Sequence, residues 1–276
     1  MDTKNVSVLG CGWLGLPLAK KLIEDGFFVK GSTTQHEKIS ILREARIEPY
    51  LISFDQNLSA LLKGKSASSF FNSDILFLNI PFRRNLPVPE IYFNQINAVV
   101  NLVEGSSIKH VIFAGSTSIY QNRSGEISED DQFEPDNDRS KVLKKVEQML
   151  MGNAHFQSTI LRFAGLYGGA RQIGQFLSGI KGLTDGNSPV NLVHLDDCVR
   201  IVSALIKRNI IGEIFNICSD KHPSKEELYT KAAKKLGVPL PTFEHTKQQS
   251  YKIVSNQKIK EALNYTFKYP NPLLGL

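Results

Sequence analysis

The chain has 276 residues, of which 41% are hydrophobic and 22% charged, enough apolar material for a large core and too ordinary a charge content for a mostly disordered chain. A net charge of +6 suits anionic ligands, yet the lysines and arginines are scattered without a basic run or arm, so nucleic-acid binding is not indicated. Three cysteines (Cys11, Cys198, Cys218) form no paired framework and no apolar run is long enough to span a bilayer, so the expectation is a soluble cytoplasmic protein with no membrane contact.

Val6-Ser7-Val8-Leu9 is a short apolar run suited to a buried parallel strand. It leads straight into Gly10-Cys11-Gly12-Trp13-Leu14-Gly15, and residues 14–26 read as a helix with Leu14, Leu18, Leu22 and Ile23 on one face. Pro17 falls in the first turn, where a missing N–H costs little. A strand, a G-x-G-x-x-G turn and a helix in that order form the dinucleotide-binding fingerprint. Gly10 makes the tight turn, Gly12 lets the backbone approach a pyrophosphate, and Gly15 lets the helix pack against the strand. The helix N-terminus then offers N–H groups and a positive dipole end. Gly10, Cys11, Gly12, Trp13, Leu14 and Gly15 are therefore the expected phosphate contacts, against a plain structural turn as the alternative. Cys11 reads as a small inward filler, or as a thiol sensitised by the helix end.

Further strands are predicted at Phe27-Phe28-Val29-Lys30-Gly31-Ser32, 47–54, 74–79, 111–114 and 159–163, with helices at 36–46, 90–105 and 139–152. This alternation predicts an α/β fold, a doubly wound parallel sheet of Rossmann type with helices on both faces. Strand two ends Gly31-Ser32-Thr33-Thr34, without the carboxylate that holds the ribose hydroxyls of NAD. Small hydroxyls at Ser32, Thr33 and Thr34 tolerate a 2′-phosphate and donate to it, with His36 or Lys38 adding charge. NADP is thus favoured, with NAD the alternative; Thr34 with Glu37 also reads as a capping box. Asp55 ends strand three, either approaching the adenine or starting a turn. Ile80 and Pro81 end strand four, where the backbone passes the cofactor, and Arg83 and Arg84 follow as anion ligands or solvated surface.

From Gly165 the chain turns glycine-rich; a helix is predicted over 196–207, a strand over 213–217, and a helix over 223–236 with Ser224 as N-cap. The expected division is a dinucleotide-binding core, 1–165 with 190–218 returning to it, and a small C-terminal substrate lobe, 166–189 and 219–276. The ligand crevice is expected between them, faced by Arg162 and by Arg171, whose planar fork suits a phosphate or carboxylate. His194 with Asp196 and Asp197 reads as a helix start capped by an acid; the other histidines are isolated and no metal is expected.

The order of motifs then resembles a known family. The Gly10 turn, Gly115-Ser116-Thr117-Ser118-Ile119-Tyr120, Arg162-Phe163-x-Gly165-Leu166-Tyr167-Gly168 and Val193-His194-Leu195-Asp196-Asp197 together resemble the extended short-chain dehydrogenase/reductases, the NAD-dependent epimerase/dehydratase group, over almost the whole chain. The resemblance implies a sheet of about seven strands, a tightly held nicotinamide cofactor, a variable substrate lobe and, in many members, nucleotide-sugar substrates. It implies that Ser116 is the catalytic hydroxyl on the reacting oxygen, and that a homodimer forms through the helices at 90–105 and 139–152. Thr117 stands where dehydratases carry an acid, which weakens that subtype.

The family's chemistry rests on a Tyr with a Lys four residues later, and no tyrosine of this chain has a lysine at that spacing. Alignment on Glu147-Gln148 puts Arg139 at the Tyr position and Leu143 at the Lys position. Loss of a positioned acid/base costs on the order of a hundred- to ten-thousandfold in rate. Tyr120 and Arg139 are the candidate catalytic substitutes beside Ser116, with core packing as the alternative for Tyr120. The expectation is an atypical NAD(P)-dependent oxidoreductase or epimerase acting on a small sugar-like or anionic molecule. The alternative is a cofactor-binding sensor or regulator that has lost the chemistry.

Overall fold

Strands buried on both faces need near-continuous apolar runs, and the first 165 residues supply them. The computed structural model describes residues 4–54, 60–63, 67–82, 88–120, 124–244 and 251–276. Its strands are, in chain order, β1 (Asn5–Leu9), β2 (Phe28–Thr33), β3 (Glu48–Phe54), β4 (Ala60–Lys63), β5 (Ile75–Leu78), β6 (His110–Ser116), β7 (Gly125–Ile127), β8 (Gln157–Phe163), β9 (Gly165–Tyr167), β10 (Leu192–His194), β11 (Ile214–Ile217) and β12 (Lys252–Val254). The helices are α1 (Gly15–Glu24), α2 (Lys38–Glu44), α3 (Ala67–Phe71), α4 (Glu90–Glu104), α5 (Asp138–Met151), α6 (Ile173–Phe176), α7 (Leu195–Arg208), α8 (Lys225–Leu236) and α9 (Gln257–Leu263).

The main sheet has the order β11-β8-β6-β5-β1-β2-β3-β4. Seven strands are parallel, in the Rossmann order, as the alternation predicts. The eighth, β4, is an antiparallel edge strand that pairs Leu51 with Lys63 and was not anticipated. The strand order reverses at β1, whose Val6 pairs with Val29 of β2 on one side and Ile75 of β5 on the other. In such sheets ligands bind where the order reverses, beyond the strands' carboxyl ends. Here that point is the end of β1, the Gly10 turn.

Apolar burial fixes this register. Val6, Val8, Leu76, Phe77 and Leu78 are fully buried, and α1 buries Leu18, Ala19 and Leu22. Each leucine so buried contributes roughly 1.5–3 kcal/mol. The capping box expected of Thr34 and Glu37 does not form. α2 starts at Lys38 with Glu37 already helical and no side-chain cap, because the Thr33 hydroxyl accepts the Gln35 N–H (3.1 Å) and turns the chain first.

The chain makes two compact units: Met1–Ile119 with Pro135–Leu161 and Val202–Ile214, and Tyr120–Glu134 with Arg162–Ile201 and Phe215–Leu276. Residues 120–134, 162–165, 190–201 and 215–218 thus fall in the second unit, whereas the sequence reading placed them with the core. Strand pairing accounts for the first and third of these. β7 pairs in parallel with β12 (Gly125 with Lys252), and β9 with β10 (Gly165 with Leu192). Asn191 helps to tie this unit, donating to the Lys252 carbonyl (2.9 Å) and accepting the Val254 N–H (2.8 Å). A small core of Tyr167, Ile173, Leu192, Leu228 and Ala232 lies beneath. Ser224 caps α8 as expected, accepting the Glu227 N–H, and Gly237 ends it at φ +69°. Among the described residues no helix is long and apolar enough to cross a membrane.

Candidate functional site

The turn after β1 is held from several sides. Gly10 has φ +105°, and a Cβ there would fall 2.6 Å from the Asn79 carbonyl oxygen. A Cβ on Gly15 would fall 2.1 Å from the Gly10 carbonyl oxygen. The fold itself demands both glycines. Gly12 differs: it is exposed, its φ is not left-handed, and nothing lies within 4 Å of where its Cβ would be. No part of the described chain requires a glycine there.

Two side chains shape this turn. The Asn79 amide donates to the Gly10 carbonyl (2.9 Å), while its own N–H donates to the Leu9 carbonyl (3.0 Å). The sequence reading took Asn79 only as the end of a strand. Ser32 accepts the Gly10 N–H at its hydroxyl (2.9 Å) and the Cys11 N–H at its carbonyl (2.8 Å). Ser32 is therefore turned into the fold, 2% exposed, and its hydroxyl is engaged with the turn instead of facing a ligand phosphate. Thr33 is buried and bonded to Gln35; of the three hydroxyls, Thr34 is the exposed one. Cys11 points inward: a Cβ on Gly31 would meet its Sγ at 2.7 Å, and burial pushes the thiol up to about 12. Trp13 is half-buried and Leu14 buried. No side chain caps α1 and no acid stands in its first turn, so its positive end is not neutralised from within.

Past β5, Ile80 is half-buried and its carbonyl accepts the Tyr92 hydroxyl (3.0 Å); Pro81 is exposed. Phe82 packs on Tyr92 with ring centroids 4.7 Å apart, and the Arg139 guanidinium lies 4.5 Å over the Phe82 ring. Arg139 stands on α5, whose start is a capping box between Asn137 and Ser140, and Leu143 is sunk in the core. Ser116 ends β6 half-buried; its Oγ accepts the Ser118 N–H (3.2 Å) and lies 2.9 Å from the Ser118 hydroxyl. Asp55, Arg83 and Arg84 lie outside the described residues.

In the second unit, Tyr120 is 3% exposed. Its hydroxyl donates to Asn216 Oδ1 (2.7 Å) and accepts from Arg162 Nη1 (2.7 Å). Arg162 is itself buried against the Tyr120 and Phe133 rings, so it braces this network. Glu129 completes it by accepting the Asn216 N–H. Burial, only partly offset by Arg162, pushes the Tyr120 phenol up to about 12. Asp196 and Asp197 stand in the first turn of α7, where an acid favours the helix dipole. The buried Asp197 carboxylate also accepts from the Tyr265 hydroxyl (2.7 Å) and from the backbone N–H groups of Lys268 (2.8 Å) and Tyr269 (2.9 Å), fastening a distant segment. Among the described residues no group of three or more His, Cys, Asp or Glu converges as a metal site.

The parallel sheet order and the glycine turn at its reversal point define a protein of Rossmann-like α/β fold. No family model matches the chain. It is 32% identical over 272 residues, 98% of each chain, to Protein YeeZ of Escherichia coli (strain K12), and it belongs to the family of that protein. Solved structures share the fold at lower identity. A short-chain dehydrogenase/reductase superfamily protein from Agrobacterium tumefaciens with bound NAD superposes with TM-score 0.76 at 16% identity, covering 98% of this chain and 94% of that one. UDP-glucuronic acid 4-epimerase from Bacillus cereus, in complex with UDP-glucuronic acid and NAD, gives 0.75 at 18% identity, with 98% and 96% covered.

Proposed function

We propose that this chain binds a nicotinamide dinucleotide at the Gly10 turn and acts as an oxidoreductase or epimerase on a small sugar-like or anionic substrate. One observation carries the reading: Gly12 makes room for nothing inside the described protein. A residue whose missing side chain leaves open space at a helix N-terminus suits a ligand that comes to the backbone. The turn amides from Cys11 to Gly15 would hold the diphosphate, with Asn79 and Ser32 keeping the turn in shape. Ile80 and Pro81 would flank the bound dinucleotide. When bound, the dinucleotide supplies a hydride donor or acceptor. NADP is the form favoured by a strand two without a terminal carboxylate, with Thr34 as its exposed hydroxyl.

Ser116 would donate to the reacting oxygen of the substrate, its own Oγ oriented by Ser118. Arg139, set where the resembled family has its Tyr, would offer fixed positive charge from α5. Tyr120 is better read as a positioning residue, since both capacities of its hydroxyl are spent on Asn216 and Arg162. A sugar-like substrate is supported by the likeness in fold to UDP-glucuronic acid 4-epimerase. The second reading, a dinucleotide-binding sensor without turnover, is favoured by the buried Leu143 at the position of the family's Lys. Calorimetric titration with NADPH and NADH, followed by turnover assays on nucleotide sugars, separates the readings: saturable binding with turnover supports the enzyme, binding without turnover the sensor. Absence of binding by either coenzyme defeats both.

A further inference from the structure

Two segments of the second unit lie side by side and hold apolar side chains out to solvent. Residues 173–183 carry α6 and the turn after it, and residues 231–244 carry the end of α8 and the chain beyond. α6 packs directly on α8, since a Cβ on Gly174 would fall 2.6 Å from the Ala232 carbonyl oxygen. Past the helices the two backbones are laced together. The Gly179 N–H donates to the Pro239 carbonyl (2.9 Å), the Thr242 N–H to the Ile180 carbonyl (3.0 Å) and the Leu183 N–H to the Thr242 carbonyl (3.0 Å). Phe176, Ile180, Leu236 and Leu240 stand on these segments, each at least 36% exposed. A single exposed apolar side chain is ordinary, but several gathered on laced segments mark a contact surface.

Two features narrow what covers it. The surroundings are cationic: Lys181 adjoins Ile180, and the exposed Lys231, Lys234 and Lys235 run along α8 to Leu236, while Glu244 is the one acid of the two segments. A second copy docked through a two-fold contact would set these lysines against their equivalents, so charge favours an acidic partner. The backbone groups between the segments are also spent on each other, so a partner meets side chains. An apolar face with charged flanks suits an amphipathic helix.

We propose that this face docks an acidic amphipathic helix of a partner protein, its apolar side on Phe176, Ile180, Leu236 and Leu240 and its acids against Lys181, Lys231 and Lys234. The bonds that lace the segments fix the face before binding and so lower the ordering cost. The surface goes beyond the coenzyme reading and uses none of the residues of the Gly10 turn.

The test places the photo-crosslinking residue p-benzoylphenylalanine at Gln175, an exposed position beside Phe176, in the full chain. The chain is irradiated in its native cells and the crosslinked peptide is sequenced by mass spectrometry. The expected product joins it to another protein through a peptide with Leu, Ile or Phe at helical spacing and Asp or Glu alongside. Leu240→Asp and Lys234→Glu are each expected to cut the yield about tenfold or more with the denaturation midpoint kept, because both positions are exposed. No crosslinked peptide, a peptide from a second copy of this chain, a peptide without that pattern, or a yield unchanged in both variants overturns the proposal. Cosedimentation with phosphatidylglycerol vesicles that Leu240→Asp abolishes assigns the face to a membrane instead and overturns it too. A separate NADPH titration of the parent chain reads the Gly10 turn alone, so failure of one reading is distinguishable from failure of the other.

Discussion

A methyl group at Gly15 would sit 2.1 Å from the Gly10 carbonyl oxygen, so Gly15→Ala must push α1 away from β1. We expect it to lower stability by about 1–3 kcal/mol, read as a lower denaturation midpoint. Asn79→Ala removes the amide on the same carbonyl and should cost about 1 kcal/mol while weakening coenzyme binding severalfold. Tyr120→Phe separates positioning from catalysis. It removes the acceptor of Arg162 Nη1 and the donor to Asn216 Oδ1 and should cost about 1–3 kcal/mol with coenzyme affinity kept. A loss of turnover on the order of a hundredfold or more with stability unchanged would instead make Tyr120 the proton donor. At this scale the glycine turn was legible, because its residues are consecutive. Asn79 was not, since a side-chain bond to a carbonyl across 69 positions leaves no local pattern. The second duty of Asp197 was hidden for a related reason: an acid in a first turn looks the same whether or not it also holds the distant amides of Lys268 and Tyr269.

Among the elements, the link between β6 and β8 carries a pH signature. His110 is buried with Nε2 against the Thr159 hydroxyl (2.9 Å), and burial lowers its pKa from the ordinary 6.5 to about 4. A folded pKa below the unfolded one means that the unfolded chain binds more protons between these values. Stability is then full above about pH 6.5 and falls as the pH drops toward about 4, by roughly 1–3 kcal/mol from this group. Urea midpoints measured across that window should fall in the parent chain and flatten in His110→Gln; an equal slope in both would remove the assignment. Buried parallel strands were legible as apolar runs with helices between them. The three-residue strands β7, β9, β10 and β12 were not, because so short a segment has no period and its pairing is decided by partners far along the chain. The short edge strand β4 was not anticipated for the same reason.

At the scale of the whole molecule, the proposed dinucleotide site stands where the order of the main sheet reverses. The fold was legible because strand, turn and helix agree locally with the global plan. The chemistry was less so, because the proposed stand-ins for a Tyr-x-x-x-Lys pair, Ser116 and Arg139, lie on different elements and share no local sequence pattern. The most direct test is Gly12→Ala, compared with the parent by calorimetric titration with NADPH and NADH and by chemical denaturation. Since an added methyl meets nothing in the protein and φ is not left-handed there, stability should hold or rise by a few tenths of a kcal/mol. Coenzyme affinity should fall about tenfold or more, as the methyl keeps the diphosphate from the turn amides. A parent chain that binds neither coenzyme, or a Gly12→Ala chain that binds as tightly as the parent, would contradict the account.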